Sequence, residues 1–253
     1  MKVAAVQHDI VWEDTAANLD RLSARIDEAA ALGARLVVLP EMFATGFSMN
    51  TGRTSELDGG PTTAWLRERS GARDVWVCGT VAETPGDGGR PSNMFVLAAP
   101  DGAVHRYAKV HTFSHTGEHE HFAAGDRLVT VGVDGLRVTP FVCYDLRFAD
   151  EFWTAGPGTD LFVVPANWPA SRREQWRTLA RARAIENQCY LVGVNRVGEG
   201  DGVTYAGDSC IIDPIGRTLV EAAEVETILV ADVDAEVVAA TRRRFDFLSD
   251  RRS

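Results

Sequence analysis

The chain has 253 residues, 45% of them hydrophobic and 25% charged, which suits one large globular domain with a well-buried core. Its 26 Lys and Arg against 36 Asp and Glu give a formal net charge of −10. That charge repels phosphate backbones and argues against nucleic acid as a partner. No apolar run approaches membrane-spanning length and the N-terminal apolar stretch is too short for a signal peptide, so we expect a cytosolic protein without a membrane partner.

Hydrophobic periodicity predicts the elements of the first half in chain order: a strand at 3–6, a helix at 18–32 capped by Gly33, a strand at 36–39, a helix starting at Pro61, a strand at 75–80, and a hairpin of 94–98 with 103–107. In the second half it predicts strands at 136–142, 161–164, 190–194 and 209–213, and a long helix at 173–188. Strands alternate with helices and then predominate, which indicates a single α/β domain spanning residues 1–253. The glycine-rich segments 85–90 and 198–202 are predicted to be surface loops.

A carboxylate stands directly after the second strand, in Leu39-Pro40-Glu41. Loops at the ends of strands collect functional groups on a rigid scaffold. Between an apolar strand and the side chains of Met42, Phe43 and Phe47, Glu41 would be partly desolvated, which would strengthen it as a general base. The alternative for Glu41 is an exposed loop residue.

Two further reactive side chains follow strands. Lys109 ends the predicted hairpin, where the alternative is a solvated lysine. Cys143 follows strand 136–142 and precedes a polar, turn-like stretch, whereas the other three cysteines lie inside apolar segments and are expected to be core residues. All four are expected to be free thiols, because they form no C-x-x-C pair. A thiol at a sharp turn can be exposed and have its pKa lowered by backbone N–H groups, which favours Cys143 as a nucleophile.

Four of the six histidines fall within eleven residues: His111, His115, His119 and His121. Their spacings of four and two could fit a metal site, so a metallohydrolase is the alternative from a different class. Gly117 interrupts the helix that the four-residue spacing needs. A polar loop near the site is therefore the preferred interpretation.

Four segments together resemble the signatures of one family: Leu39-Pro40-Glu41, Tyr107-Ala108-Lys109-Val110-His111, Cys143-Tyr144-Asp145-Leu146-Arg147-Phe148 and Ala182-Arg183-Ala184-Ile185-Glu186-Asn187. Their order and content are similar to the nitrilase superfamily of carbon–nitrogen hydrolases, and the resemblance spans nearly the whole chain. Two positions depart from the family pattern, Ala149 and Asp246, where proline is usual. Neither departure affects the reactive residues.

The resemblance implies a four-layer α-β-β-α sandwich without metal or organic cofactor, assembled as a homodimer or larger homo-oligomer. A C-terminal tail, about residues 240–253, would reach the partner subunit. The family roles then imply Glu41 as base, Lys109 as oxyanion partner with the backbone N–H of Tyr144, and Cys143 as nucleophile. A second glutamate near the thiol is matched by Glu118, with Glu120 as the fallback.

The substrate expectation comes from three segments, 41–49, 166–172 and 187–188, which resemble the ω-amidase branch. That branch hydrolyses the terminal amide of 2-oxo-dicarboxylate monoamides such as 2-oxoglutaramate. Aromatic side chains would wall a narrow slot, and an arginine would clamp the distal carboxylate. The candidates are Met42, Phe43, Phe47 and Trp168 for the wall and Arg172 or Arg147 for the clamp. For Arg147 an internal ion pair is an equal alternative, and other amides, carbamoyl compounds and nitriles stay open as substrates.

Overall fold

The computed structural model describes residues 1–252, in which fourteen strands form two seven-stranded β-sheets. We number strands and helices in chain order. The first sheet contains β1 (Lys2–Gln7), β2 (Leu36–Val38), β3 (Glu56–Leu57), β4 (Trp76–Thr84), β5 (Ser92–Ala98), β6 (Val104–Ala108) and β14 (Thr227–Asp232). The second contains β7 (Val131–Val133), β8 (Leu136–Pro140), β9 (Leu161–Ala166), β10 (Tyr190–Asn195), β11 (Val197–Gly200), β12 (Val203–Ile212) and β13 (Thr218–Ala223). The α-helices are α1 (Thr15–Ala31), α2 (Thr51–Thr54), α3 (Pro61–Arg73), α4 (Glu118–His121), α5 (Ala149–Ala155), α6 (Arg173–Asn187) and α7 (Ala235–Arg244).

Each sheet has a parallel centre extended by antiparallel strands. The order in the first sheet is β14-β1-β2-β4-β5-β6, with β1, β2 and β4 parallel and β3 beside β4. The order in the second is β11-β12-β10-β9-β8-β7, with β8, β9 and β10 parallel and β13 beside β12. The carboxyl ends of parallel strands meet at one edge of a sheet, which is where functional loops gather.

Strand β1 shows how the layers are built. Ala4 and Val6 belong to the core between the first sheet and helices α1 and α3, whereas Val3 and Ala5 belong to the core that this sheet shares with the second one. Successive side chains of a strand point to opposite faces, so a strand that is apolar on both faces lies between two layers. Helix α6 covers the outside of the second sheet, where Trp176 is fully buried. The four-layer α-β-β-α sandwich predicted from the motifs is confirmed.

Local sequence signals placed the end of α1 and the start of α3 correctly, whereas α1 begins at Thr15, three residues before the predicted start. Gly33, just after α1, has φ +85°, a value that glycine adopts without steric cost, and Pro61 is the first residue of α3. The prediction of a surface loop at 198–202 was wrong, because Gly200 ends β11 and Asp201–Gly202 turn directly into β12. This segment is therefore the tip of a β-hairpin.

The C-terminal segment packs on its own chain through α7. The guanidinium of Arg242 donates to the backbone carbonyls of Gly156, Thr159 and Asn187, which anchors the helix beside α5 and α6. No helix within residues 1–252 is long and apolar enough to cross a bilayer.

A single buried carboxylate, that of Asp145, ties the two sheets together. Asp145 lies in the 3₁₀ turn Cys143–Arg147, which follows β8 of the second sheet. It accepts hydrogen bonds from the hydroxyl of Tyr107 on β6 of the first sheet (2.9 Å), from the backbone N–H of His111 (2.8 Å) and from that of Val142 (2.9 Å). The turn that carries Cys143 is thus fixed relative to the segment that carries the predicted lysine.

The ring of His111 adds a charged contact to this tie. Its Nδ1 lies 3.2 Å from Asp145, its Nε2 lies 3.2 Å from Glu151, and the ring stacks on Phe148 at 3.6 Å. The hydrogen bond to Asp145 raises the pKa of His111 above its ordinary value of 6.5. The protonated ring therefore stabilises the fold below pH 6.5, and this contribution disappears as the pH rises through the folded-state value.

We predict that His111→Gln lowers Tm by about 1–3 °C more at pH 6 than at pH 9, since glutamine cannot gain the charge that pairs with Asp145 and Glu151. Thermal melts of both proteins at the two pH values measure the difference. His119→Gln, at an exposed position, is the control and should show no such dependence. Equal losses for His111→Gln at both pH values would contradict the prediction.

Candidate active site

Three of the predicted residues lie just beyond the ends of strands. Glu41 is the third residue after β2, Lys109 is the first residue after β6, and Cys143 is the third residue after β8. Asn167 is the first residue after β9. The fold brings these four positions together, although they lie up to 126 residues apart in sequence.

A buried lysine holds the centre of the site. The Nζ of Lys109 lies 3.0 Å from Oε1 of Glu41, and 3.0 Å and 2.9 Å from the two carboxylate oxygens of Glu118. All three side chains are at most 1% exposed. Burial alone would lower the pKa of Lys109, but Glu118 and Glu41 outweigh it and hold the pKa above its ordinary value. Lys109 is therefore a permanent ammonium ion between two carboxylates.

Two asparagines that the sequence reasoning missed complete the shell of Glu41. The Nδ2 of Asn93, on β5, donates to Glu41 (2.8 Å) and to Glu118 (3.1 Å). The backbone N–H of Asn167 donates to Oε2 of Glu41 (2.8 Å). The only sequence signal for Asn93 is an asparagine inside a strand, a residue type that strands disfavour.

The backbone of Cys143 is strained. Its φ of +44° lies in the left-handed region, which is uncommon for residues other than glycine and clusters at functional sites. In the described chain, the backbone N–H of the next residue, Tyr144, donates to no acceptor. A free N–H donor next to the nucleophile can stabilise negative charge that develops on a bound substrate.

The expectation of a lowered pKa for the Cys143 thiol was wrong. Burial, and then the charge of Glu41, raise its pKa well above the ordinary value, and the opposing effects of Lys109 and the Asn167 N–H are smaller. The resting side chain is a neutral thiol, and Glu41 is close enough for its charge to raise the pKa of that thiol. It needs a base at the moment it reacts, and Glu41 is in place.

Cys143 and Lys109 lie in a cavity of about 360 Å³. The remaining walls are formed by Trp12, Glu13, Phe47, Ser48, Met49, Asn50, Phe113, Thr116, Tyr144, Arg147, Asn167, Trp168, Pro169, Arg172, Gly200, Asp201, Val203 and Tyr205. Four of the six predicted substrate-binding residues are among them. Several others were missed, including the hairpin tip at Gly200–Asp201, because they come from loops without a recognisable pattern.

Phe43 was wrongly predicted to wall the substrate slot, and Met42 with it. The ring of Phe43 packs so closely against Gly79 on β4 that a Cβ atom on that glycine would be only 2.5 Å from the ring. The centroid of the Phe43 ring lies 5.9 Å from that of Trp65. The ring therefore fills the core between the first sheet and α3. Met42 is buried against Phe122 in a separate small cluster.

Both candidate arginines face the cavity and lie over aromatic rings. The guanidinium of Arg147 is 4.9 Å from the ring centroid of Trp168 and donates to Gln175. That of Arg172 is 5.2 Å from the ring of Phe113. Neither forms an ion pair with any carboxylate of residues 1–252, so the internal ion pair considered for Arg147 is not formed there. Both cations are available to an anionic ligand.

The histidine cluster is not gathered into a ligand set. His115, His119 and His121 are exposed, and His111 is engaged with Asp145. Over the described range no three His, Cys, Asp or Glu side chains are placed to share a metal ion. Glu120 is exposed as well, so Glu118 is the second glutamate that the fold brings to Lys109.

Comparison with known proteins agrees with this geometry. The model of the carbon-nitrogen hydrolase family matches residues 2–243. The omega-amidase YafV of Yersinia enterocolitica is 40% identical over 99% of this chain and 96% of its own length. A 2-oxoglutaramate amidase of Bacillus subtilis is 28% identical over 98% of this chain and 96% of its own.

The fold has a close structural counterpart. A CN-hydrolase superfamily protein from Xanthomonas campestris, with an arsenic adduct in its active site, superposes with a TM-score of 0.94 at 37% identity, covering 100% of this chain and 97% of that chain. The family model spans nearly the whole sequence, and the 40% identical relative is covered over 96% of its length. Both findings identify the same family. The chain belongs to the carbon-nitrogen hydrolase family of the nitrilase superfamily, as its motifs predicted.

Proposed function

We propose that this chain is an ω-amidase that hydrolyses the terminal carboxamide of short 2-oxo-dicarboxylate monoamides, such as 2-oxoglutaramate, and releases ammonia. The observation that carries the proposal is a cavity lined by Cys143 and by Lys109, which is paired with the buried Glu41, and also by Arg147 and Arg172. The first three side chains suit amide hydrolysis, and the arginines suit an anionic substrate. The omega-amidase and 2-oxoglutaramate amidase relatives support the same activity.

The first half of the reaction forms a thioester. As the sulfur of Cys143 attacks the carboxamide carbon, Glu41 takes the thiol proton, so no free thiolate has to persist in this negatively charged site. The same proton passes from Glu41 to the amide nitrogen. The C–N bond then breaks, and nitrogen leaves as NH₃.

Negative charge moves onto the carbonyl oxygen during the attack. Lys109 and the backbone N–H of Tyr144 are the donors that receive it, and both are in place before the substrate arrives. Losing one such donor typically costs on the order of 10²–10³ in rate. Lys109 cannot be neutral here, because its two carboxylate partners keep it charged.

The second half hydrolyses the thioester. Glu41 deprotonates a water molecule, which attacks the thioester carbon, and the carbonyl oxygen is again stabilised by Lys109 and the Tyr144 N–H. The C–S bond breaks, and the proton held by Glu41 returns to the sulfur. The products are a carboxylic acid and the thiol of Cys143.

Substrate selection is assigned to the aromatic and arginine side chains that line the cavity. Phe47 and Trp168 provide apolar walls for a short methylene chain, and a planar guanidinium can bind a carboxylate through two hydrogen bonds. Arg172 is the favoured clamp, because Arg147 is already engaged with Gln175. Other amides, carbamoyl compounds and nitriles use the same three reactive residues, so the arginines decide between these alternatives.

We predict that Cys143→Ala abolishes amide hydrolysis while the fold is kept, because it removes the nucleophile and little volume. Intact-mass spectrometry after mixing with substrate should show the acyl adduct on the parent protein only. Cys189→Ala is the matched control: this fully buried cysteine lies away from the cavity, so its loss should cost about 1 kcal/mol of stability and leave the activity per folded molecule unchanged. Turnover by Cys143→Ala within a few-fold of the parent would remove the assignment.

We predict faster ammonia release from 2-oxoglutaramate or 2-oxosuccinamate than from glutamine, aliphatic amides or nitriles. Arg172→Ala should raise KM by about tenfold or more with a smaller effect on kcat, which is the pattern of lost uniform binding. Arg147→Ala, measured beside it, tests which guanidinium is the clamp. A preference for uncharged amides, or an unchanged KM in both variants, would rule out the 2-oxo acid assignment and leave the cysteine mechanism in place.

We also propose that the chain assembles as a homodimer or larger homo-oligomer in the cytosol. Exposed apolar side chains gather where α5, α6 and the C-terminal tail meet, and include Trp153, Ile185, Phe245 and Phe247. Such a patch is typical of an interaction surface. Sedimentation of the parent protein should show a dimer or larger species, and Ile185→Glu should shift it toward the monomer; a monomeric parent would contradict the proposal.

A further inference from the structure

One fully buried side chain in the site has no part in the chemistry described so far. Asn93 lies on β5, and its Nδ2 donates to Oε1 of Glu41 at 2.8 Å and to Oε1 of Glu118 at 3.1 Å. Its Oδ1 is buried and has no hydrogen-bond partner within the described chain. Buried amides normally satisfy both ends, so an unpaired acceptor indicates that something other than stability keeps asparagine at this position.

The direction of the amide follows from its neighbours. Both carboxylates are acceptors, so the Asn93 NH₂ group must face them, and its two N–H bonds match the two oxygens. A carboxylate or hydrophobic side chain of similar size could not make both contacts. Asn93 is thus a neutral donor bridging two negative charges that already share one cation, Lys109.

The groups that face Glu41 make such a donor useful. They are Lys109, Glu118, the thiol of Cys143 and the more distant hydroxyl of Tyr205. With a neutral thiol, the two carboxylates exceed the single ammonium by one negative charge. Two like charges in a buried site favour uptake of a proton by one of them, which would disable the base. Each hydrogen bond to an ionised carboxylate opposes that uptake.

We propose that Asn93 is a positioning residue whose two N–H bonds stabilise the negative charges of Glu41 and Glu118 and hold Oε1 of Glu41 on the lysine side, so that the carboxylate stays oriented toward the thiol of Cys143. The role builds on the proposed function, in which Glu41 is the base. It acts through Glu41, without contact between Asn93 and the substrate. The consequence of this role is measurable in the acidic limb of the pH profile of kcat/KM, where activity is lost as the pH falls.

The test compares Asn93→Leu, which keeps most of the volume and removes both donors, with Asn93→Ser, whose hydroxyl can donate to one carboxylate only. For Asn93→Leu the acidic limb of the kcat/KM profile should move up by about one pH unit, and kcat at neutral pH should fall about 10–100-fold while KM changes little. Asn93→Ser should lie between Asn93→Leu and the parent. Should Asn93→Leu fail to fold, the position of the Asn93→Ser limb decides the question.

A second readout does not depend on the substrate. The rate at which iodoacetamide alkylates Cys143, followed by intact-mass spectrometry against pH, should show the same shift, because alkylation also needs Glu41 to take the thiol proton. This separates the two proposals: a parent protein inactive on 2-oxo acid amides would remove the substrate assignment, whereas the alkylation profile still tests Asn93.

The matched control is Asn187→Leu. Asn187 is another fully buried asparagine with side-chain hydrogen bonds to Arg183 and Arg251, but it lies on α6 outside the cavity. Its loss should lower Tm without moving either pH profile. The proposal is overturned if a folded Asn93→Leu or Asn93→Ser protein keeps the parental acidic limb, if the loss falls on KM alone, or if Asn187→Leu shifts the limb equally.

Discussion

The buried ammonium of Lys109 is the constraint on which the site depends. A charge removed from water must be paired, and breaking a buried pair by deleting one partner typically costs about 3–5 kcal/mol. The two carboxylates that pair with it come from separate segments, one after β2 and one in α4. The ion cluster therefore holds these two segments together beside the nucleophile, with help from the apolar contact of Met42 with Phe122.

Burial, and after it the negative charge of Glu41, explain why the thiol of Cys143 is neutral. A thiolate beside Glu41 would add a further charge of the same sign, and the pKa of the thiol is accordingly raised, with burial as the larger cause. The nucleophile is thus generated only as it attacks, when charge passes from sulfur to the carbonyl oxygen and toward Lys109. A resting neutral thiol also reacts less readily with other electrophiles.

The sequence predicted the reactive residues because each follows a strand and because all three belong to motifs with a fixed order. Asn93 was missed, since a lone asparagine in a strand carries no signal until the fold sets it between two carboxylates. The sequence prediction placed Phe43 in the substrate slot because Glu41, two residues earlier, belongs to the site. The chain turns at Met42, whose φ is +46°, and the ring of Phe43 packs into the core instead.

Strand pairing between residues far apart in the sequence limited the prediction of the fold. The two sheets and their helices follow from apolar patterning and from the family resemblance, but β14 pairs with β1 across more than 200 residues. The short strands β13 and β14 have few fully buried positions and give little local signal. Their place is set by the edges of sheets that already exist.

The residues that carry out the reaction and the residues that we assign to substrate selection are held in place by different contacts. The reactive side chains lie at strand ends and are fixed by Asp145, which joins the sheets, and by the ion cluster. The two candidate arginines lie in different 3₁₀ turns: Arg147 ends the turn Cys143–Arg147, which Asp145 holds, whereas Arg172 ends the turn Ala170–Arg172 and rests on Phe113. A change confined to the turn Ala170–Arg172 would move Arg172, while Asp145 and the ion cluster would still hold the thiol, the base and the lysine in register. The same catalytic centre can therefore serve different amides, and substrate choice must be sought in the loops.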